Sequence, residues 1–311
     1  MGGGPQLVHW NGTECVQSPD FPLAEVFALD AVSATEVWAA GTKAGLAAIT
    51  RFDGTSWSAP EHPDLNEIMD IQRAPDGALY LVDSKKGRAF RKEGGTLTML
   101  NVAVRVGLPP CAADSECGYG ERCTTRGTCE SSTYTHLAIH AFGLENVWVA
   151  GVEYAGDPRT GALHRFVNGV EQSVTSATDY LQLHAIHALS PSDIWFGGTQ
   201  VSYEYPQVLH WDGERLEPDY GVESFNVIDL HAFPGGQVFA VGPSGVHRRS
   251  ASGEWTRDTL PLSGPFDLVD VWGSSPTDVW AVGGQRYGNC LNSFPLAGVV
   301  FHWNGTGWTL R

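Results

Sequence analysis

Apolar residues in this chain come in short runs, each cut off by Gly, Pro, Ser, Asp or Asn, and one arrangement of them recurs. An apolar strand is followed by a short polar turn, then by an aromatic residue, two small or apolar residues and Gly. Copies are Phe27-Ala-Leu-Asp-Ala-Val-Ser-Ala-Thr-Glu-Val-Trp38-Ala-Ala-Gly41, His140-Ala-Phe-Gly-Leu-Glu-Asn-Val-Trp148-Val-Ala-Gly151 and His187-Ala-Leu-Ser-Pro-Ser-Asp-Ile-Trp195-Phe-Gly-Gly198. His231-Ala-Phe-Pro-Gly-Gly-Gln-Val-Phe239-Ala-Val-Gly242 and Trp272-Gly-Ser-Ser-Pro-Thr-Asp-Val-Trp280-Ala-Val-Gly283 continue the series, and Gln72-Arg-Ala-Pro-Asp-Gly-Ala-Leu-Tyr80-Leu-Val-Asp83 is a degenerate copy. The aromatic anchors stand at 38, 80, 148, 195, 239 and 280, so the steps are 42, 68, 47, 44 and 41 residues. The long step contains a Cys-rich insert of about 22 residues, without which it matches the rest.

A second hairpin follows the anchor, seen in Ile49-Thr-Arg-Phe-Asp-Gly-Thr-Ser-Trp57, Val208-Leu-His-Trp-Asp-Gly213 and Val300-Phe-His-Trp-Asn-Gly-Thr-Gly-Trp308. Its Asp-Gly and Asn-Gly pairs predict two-residue hairpin turns. Four short antiparallel strands repeated every 41–47 residues are the pattern of a propeller blade. The expected fold is therefore all-β: one β-propeller domain over residues 1–311 with six complete four-stranded blades. Leu7-Val-His-Trp-Asn-Gly-Thr-Glu-Cys-Val16 matches only the outer pair of the repeat, so an extra N-terminal hairpin is expected. Seven blades, one incomplete, is the alternative, though it leaves strand edges to be covered.

The clearest copy, Val271-Trp-Gly-Ser-Ser-Pro-Thr-Asp-Val-Trp-Ala-Val-Gly283, resembles the Trp-rich β-propeller repeats common in exported proteins of myxobacteria and their relatives. The resemblance spans nearly the whole chain outside the Cys-rich insert. It implies a propeller fold and an exported protein, and implies little about activity, because propellers host many chemistries.

Charge narrows the partners. With 19 Lys and Arg against 35 Asp and Glu, the net charge of −16 opposes nucleic acid as the main partner, since phosphate binding needs concentrated cations. The longest apolar runs, about ten residues, fall short of the roughly 20 that cross a bilayer as a helix, so the chain is not expected to be transmembrane. Four of the six cysteines, Cys111, Cys117, Cys123 and Cys129, are evenly spaced in the polar insert spanning 109–131. No apolar core is available to that segment, and the Cys-x2-Cys pairs of a zinc knuckle are missing, so disulfides are expected to hold it. Three connectivities are open, and Cys15 and Cys290 form either a third bridge or two free thiols. Disulfides imply an oxidising compartment, which makes the expected location extracellular, periplasmic or cell-surface. The opening Met1-Gly-Gly-Gly-Pro5 reads as a trimmed start, the stretch after a lipoprotein cysteine, which would put a lipid anchor at the natural N-terminus.

The long insertions all fall in second-to-third-strand turns or inter-blade links. They are 152–161, 199–205, 285–294 and the Cys-rich insert, and they share one face of the expected propeller. Long loops carry binding more often than scaffolding, and Tyr154, Tyr203, Tyr205 and Tyr287 on them suit contact with a protein or a glycan.

The residue eight before each anchor is Asp30, Gln72, His140, His187, His231 and Trp272 in turn; two earlier stand Ala28, Asp70, Ala138, Ala185, Asp229 and Asp270. Strand alternation puts these on one side, expected to line the central channel, and puts Phe27, Leu29, Met69, Ile71, His184, Val269 and Val271 among the packed residues of the other. His140, His187 and His231 at one register, with Asp229 nearby, are the residue types of a copper, iron or zinc site. The competing reading is a hydrogen-bonded lining, since Trp272 fills the same slot. Among other motifs, Gly-x-Ser-x-Gly, the P-loop, His-Glu-x-x-His and the EF-hand are absent from the sequence. Asn11-Gly-Thr13 and Asn304-Gly-Thr306 fit the glycosylation pattern but read as turns. The functional expectation is an envelope-associated scaffold binding a protein or glycan through its loop-rich face. The alternative is a metal-dependent enzyme using the three histidines, and whether the chain is an enzyme is left open.

Overall fold

The computed structural model describes residues 7–10, 13–18, 20–84, 87–100, 121–123, 129–131, 134–153, 160–172, 174, 181–200, 207–221, 226–243, 245–263, 266–287 and 294–311. They form two compact units, residues 1–149 with 164–173 and residues 150–163 with 174–311. Secondary structure among the described residues is strand and turn.

Six antiparallel sheets follow the six repeats, each with strands in chain order. Blade 1 is Glu25–Ser33, Glu36–Lys43 and Leu46–Phe52. Blade 2 is Ile68–Arg73, Leu79–Asp83, Arg88–Glu93 and Thr96–Met99. Blade 3 is Tyr134–Gly143, Asn146–Glu153, Thr160–Val167 and Val170–Gln172. Blade 4 is Leu181–Ser190, Asp193–Gln200, Val208–Trp211 and Leu216–Asp219. Blade 5 is Asp229–Phe233, Gln237–Gly242, Gly245–Arg249 and Trp255–Arg257. Blade 6 is Phe266–Ser275, Asp278–Tyr287, Phe294–Trp303 and Trp308–Leu310.

Blade 1 departs from the four strands expected. Its outer segment pairs only through isolated bridges, Phe52 with Trp57 and Ile49 with Glu61. Pro60 stands between them and has no N–H to give a ladder, which keeps the segment from continuing as a strand. The N-terminal hairpin is present as expected, Val8–Trp10 paired with Cys15–Gln17 in a sheet of its own.

Apolar faces of consecutive blades make the cores. In the first unit Ala40 and Ile49 of blade 1 pack on Ile71, Leu79 and Leu81 of blade 2, and Tyr80, Val82 and Ala89 pack on Ile139, Ala141 and Phe166. In the second, Trp195 and Val208 meet Leu230 and Val238, and Phe239 and Val241 meet Leu268, Val271 and Phe301. Each wholly buried aromatic, such as Phe239 or Phe301, stabilises by about 2–3 kcal/mol through removal from water.

The repeat signature is accounted for piece by piece. Ser275 Oγ caps the turn by accepting from Thr277 N, as Ser190 does for Ser192 N and Ser33 for Thr35 N. The carbonyls of Pro276 and Pro191 accept the indole N–H of Trp303 and Trp211 on the third strand, both at 3.2 Å. The Asp-Gly and Asn-Gly hairpins are not the two-residue turns expected. Phe52 pairs Trp57, Trp211 pairs Leu216 and Trp303 pairs Trp308, leaving four-residue loops. The reason is an Asx turn: Asp53, Asp212 and Asn304 Oδ1 each accept two backbone N–H groups, which closes a wider loop. Only the Gly is then left-handed, at φ 94°, 101° and 91° for Gly54, Gly213 and Gly305.

Strand alternation also fails where it was relied on. The first strands of blades 1, 2, 4 and 6 bulge at Phe27, Met69, His184 and Val269, an extra residue that shifts the pairing by one. Phe27 and Val269 are consequently 38% and 55% exposed instead of packed. The bulge brings a first-strand carbonyl over the Gly that ends the signature. A Cβ on Gly41 or Gly283 would lie 1.9 Å from the carbonyl oxygen of Glu25 or Asp267.

Candidate functional site

The polar row of the first strands is the place to look for chemistry, and the structure shows what most of it does. A blade's first strand has one edge paired to its second strand; the N–H groups on the other edge need acceptors. Side chains from the preceding blade supply them. Asp30 Oδ2 accepts from Arg73 N at 2.6 Å, Asp70 Oδ2 from Ile139 N at 2.8 Å and Gln72 Oε1 from Ala141 N at 2.5 Å in the first unit. In the second, Asp229 Oδ2 accepts from Val271 N at 2.8 Å; the His231 ring, by contrast, donates to the Gly273 backbone. Asp30, Asp70, Gln72 and Asp229 are therefore blade-to-blade staples, reaching positions one residue to either side of the same slot in the next blade, a role that Ala28, Ala138 and Ala185 in the same row have no side-chain acceptor to play.

Of the four residues expected to hold a metal, His140 belongs to the first unit and His187, His231 and Asp229 to the second. His140 lies against Gln72, with ring nitrogens 3.4 and 3.5 Å from Gln72 Nε2, and packs on Phe142. The His187 and His231 rings lie 4.0 Å apart, and His231 also contacts Phe233 and Trp272. Among the described residues, no three His, Cys, Asp or Glu side chains gather as ion ligands would. Burial pushes His140 and His231 down to about 4, so both rings are neutral at pH 7. Trp272 is 55% exposed, so the slot it shares with the histidines opens to solvent in blade 6.

Asp229 and Asp270 form a carboxyl pair across blades 5 and 6. Desolvation raises Asp229 well above the usual carboxylate range, Asp270's charge raises it further, and the two side chains hydrogen-bond. Desolvation raises Asp270 as well, although it keeps contact with solvent while protein encloses its other sides. Such a pair shares a proton, because two carboxylates at contact distance do not both ionise without cost.

A second recurring cluster surrounds the anchors, and the sequence reading missed it. In blade 4, Asp193 Oδ1 accepts from both Trp195 Nε1 at 2.9 Å and His210 Nε2 at 2.8 Å, with His210 stacked 4.1 Å from Trp195. Blade 6 repeats this with Asp278, Trp280 and His302 at 3.2, 2.7 and 4.2 Å. Blade 1 uses Glu36, Trp38 and Arg51, and in blade 3 Arg165 lies 5.3 Å over Trp148. The signal was present, as an acid two residues before the anchor and the His or Arg in the His-Trp or Arg-Phe pair of the next strand. The cluster resembles a catalytic constellation only in composition. Ser274 Oγ donates to Asp278 and not to His302, so the nucleophile–base contact of a triad is not made. These are imidazole–indole stacks in blades 4 and 6 and Arg–indole contacts in blades 1 and 3, and they fix the anchor tryptophans in their blades.

The loop expectations fall at the edge of the description. Tyr154, Tyr203, Tyr205, Cys111, Cys117 and Cys290 lie outside the described residues. Tyr287 ends a second strand and pairs with Phe294. Cys123 and Cys129 stand opposite each other in the hairpin of Glu121–Cys123 and Cys129–Ser131, and Cys15 stands opposite Trp10; their side chains are outside the description.

No protein-family model matches the chain, and no curated protein matches it. Solved structures do. YCF48 bound to D1 peptide is 16% identical with TM-score 0.58, covering 99% of this chain and 88% of that one. A catalytically inactive virginiamycin B lyase from Staphylococcus aureus with quinupristin is 13% identical with TM-score 0.57, covering 98% and 95%. The WD40 β-propeller domain of Doa1 is 12% identical with TM-score 0.55, covering 90% and 83%. At these identities the likeness establishes fold alone: the chain is an all-β propeller of six blades.

Proposed function

We propose that this chain is an exported, envelope-associated scaffold that holds a protein partner on the end of its blades carrying the long loops. One observation carries the reading. The second-to-third-strand connections run through 154–159 in blade 3, 201–207 in blade 4 and 288–293 in blade 6, and the 101–133 link enters blade 3 at the same end. At the opposite end first-to-second turns are as short as Ala34-Thr35, Pro191-Ser192 and Pro276-Thr277, and third-to-fourth loops have two residues in blades 2 and 3, four in the Asx turns of blades 4 and 6 and five in blade 5. A uniform frame with elaboration at one end is how propellers and other scaffolds present binding loops. A structural neighbour, YCF48, was solved with the D1 peptide bound, which supports a polypeptide as the class of partner.

Replacing 154–159, 201–206 and 288–293 with two-residue turns is expected to leave the fold intact and to abolish partner capture. Retained capture by the shortened protein would remove the reading. Export has its own test. With disulfides in the insert, the mass of the secreted protein measured without reductant is expected to fall short of the reduced mass by at least about four hydrogens. Six free thiols after secretion would contradict export into an oxidising compartment.

A further inference from the structure

The Cys-rich insert carries its four cysteines at 111, 117, 123 and 129, with five residues between each and the next. That spacing makes the three neighbouring pairs equivalent and leaves every connectivity open. The backbone breaks the tie. Glu121–Cys123 and Cys129–Ser131 pair as antiparallel strands, with Cys123 opposite Cys129, Arg122 opposite Glu130 and Glu121 opposite Ser131. Directly opposed residues of antiparallel strands have Cα atoms roughly 4.5 or 5.5 Å apart. Both separations fall within the roughly 4.4–6.8 Å that a disulfide spans without moving the backbone.

The hairpin also needs such a bond. It is a two-stranded sheet of its own, three residues to a strand, and among the described residues no other strand pairs with it. A lone two-stranded hairpin is at best marginally stable in water. Its strands, Glu-Arg-Cys and Cys-Glu-Ser, contain no large apolar residue with which to bury a face. One cross-strand pair of opposite charge, Arg122 with Glu130, adds little by itself. A covalent link at the pair flanking residues 124–128 fixes the register that these weak terms leave loose.

We propose that Cys123 and Cys129 are joined by a disulfide and that Cys111 and Cys117, left with the same five-residue spacing, form the other. The insert is then two small rings in series, neither of them tied to a blade. This pairing rests on the reading of the chain as exported, because thiols in a reducing compartment stay free. The oxidant is a protein disulfide of the export compartment. One cysteine thiolate attacks it, forming a mixed disulfide and releasing one of its thiols. The second thiolate then attacks the first cysteine's sulfur, forms the ring bond and releases the oxidant's other thiol. Each ring thus loses two protons and two electrons, and the oxidant's disulfide is reduced to two thiols. Closed rings have less freedom to lose on binding, which suits an insert at the end of the blades where the partner is proposed to sit.

Trypsin separates the connectivities. The secreted protein, its free thiols blocked with N-ethylmaleimide, is digested without reductant and its peptides are weighed. Cleavage after Arg105, Arg122, Arg126 and Arg159 puts Cys111 and Cys117 together on peptide 106–122, Cys123 on 123–126 and Cys129 on 127–159. The expected result is 106–122 on its own, about two hydrogens below its thiol mass, and 123–126 joined to 127–159. Peptide 106–122 joined to either of the other two, or to the peptide of Cys15 or Cys290, would overturn the pairing and leave export standing. N-ethylmaleimide on all four cysteines would overturn the pairing and export together.

Discussion

Alanine at Gly283 is expected to cost about 3 kcal/mol or more and to lower the apparent Tm by on the order of 10 °C. The added Cβ would sit 1.9 Å from the carbonyl oxygen of Asp267, and backbone atoms of Asp267 and Leu268 lie within 2.8 Å, so no side-chain rotation relieves the clash. The first strand would have to move away, and Leu268 and Val271, buried against blade 5, would move with it. Gly95→Ala is the control. It sits in a turn with nothing within 4 Å of the added methyl group and is expected to change stability by no more than about 0.5 kcal/mol. Equal effects of the two substitutions, read by thermal melts of both variants, would contradict the account of the bulge and of the Gly that closes the signature.

The second large effect is a dependence on pH that one substitution flattens. Asp229 and Asp270 have folded pKa values above their unfolded ones, so they contribute stability below about pH 4 that is lost as pH rises through the folded values. His140, His231 and His247 behave oppositely. Burial lowers each from 6.5 to about 4, so the stability from keeping them neutral is present above 6.5 and lost as pH falls towards 4. The histidine contribution is complete above 6.5, so any decline of stability with rising pH beyond that point is expected to come from the carboxyl pair. Asp229→Asn keeps an acceptor for Val271 N and removes the ionisation, so this variant is expected to match or exceed the wild type at pH 8 and to flatten the alkaline decline. Asp229→Ala leaves the N–H without its partner and is expected to cost about 1–3 kcal/mol at every pH. Denaturant melts from pH 5 to 9 separate the two, and an alkaline decline unchanged in Asp229→Asn would show that the pair does not carry it.

The six repeats were legible because each anchor, turn and terminal Gly is tied to its neighbours by bonds that admit few residue types. Ser275, Pro276, Thr277 and Asp278 each satisfy a named group, so the string recurs wherever the blade does. The side-chain directions of the first strands were less legible. Alternation was assumed, and the bulge at Phe27, Met69, His184 and Val269 inserts a residue that no composition signal marks. The fourth strand of blade 1 was expected and is reduced to bridges, an outcome Pro60 could have signalled. His187 and His231 each stand opposite their anchors, Trp195 and Phe239, but the sequence could not show that Gln72 and Asp30, from the same row, cap backbone N–H groups of the next blade. The imidazole–indole stack was written in Asp193, Trp195 and His210, yet its partnership needs the pairing of Trp195 with His210 across strands.

The claim at the centre of this account is that the long-loop end of the blades is where a partner sits. Site-specific photo-crosslinking measures it most directly, with the crosslinking residue placed at Tyr154, Tyr203 and Tyr287 on that end and at Thr35, Ser192 and Thr277 on the other. Crosslinks to one protein from the first three positions and none from the last three are the expected result; crosslinks only from Thr35, Ser192 and Thr277 would contradict it.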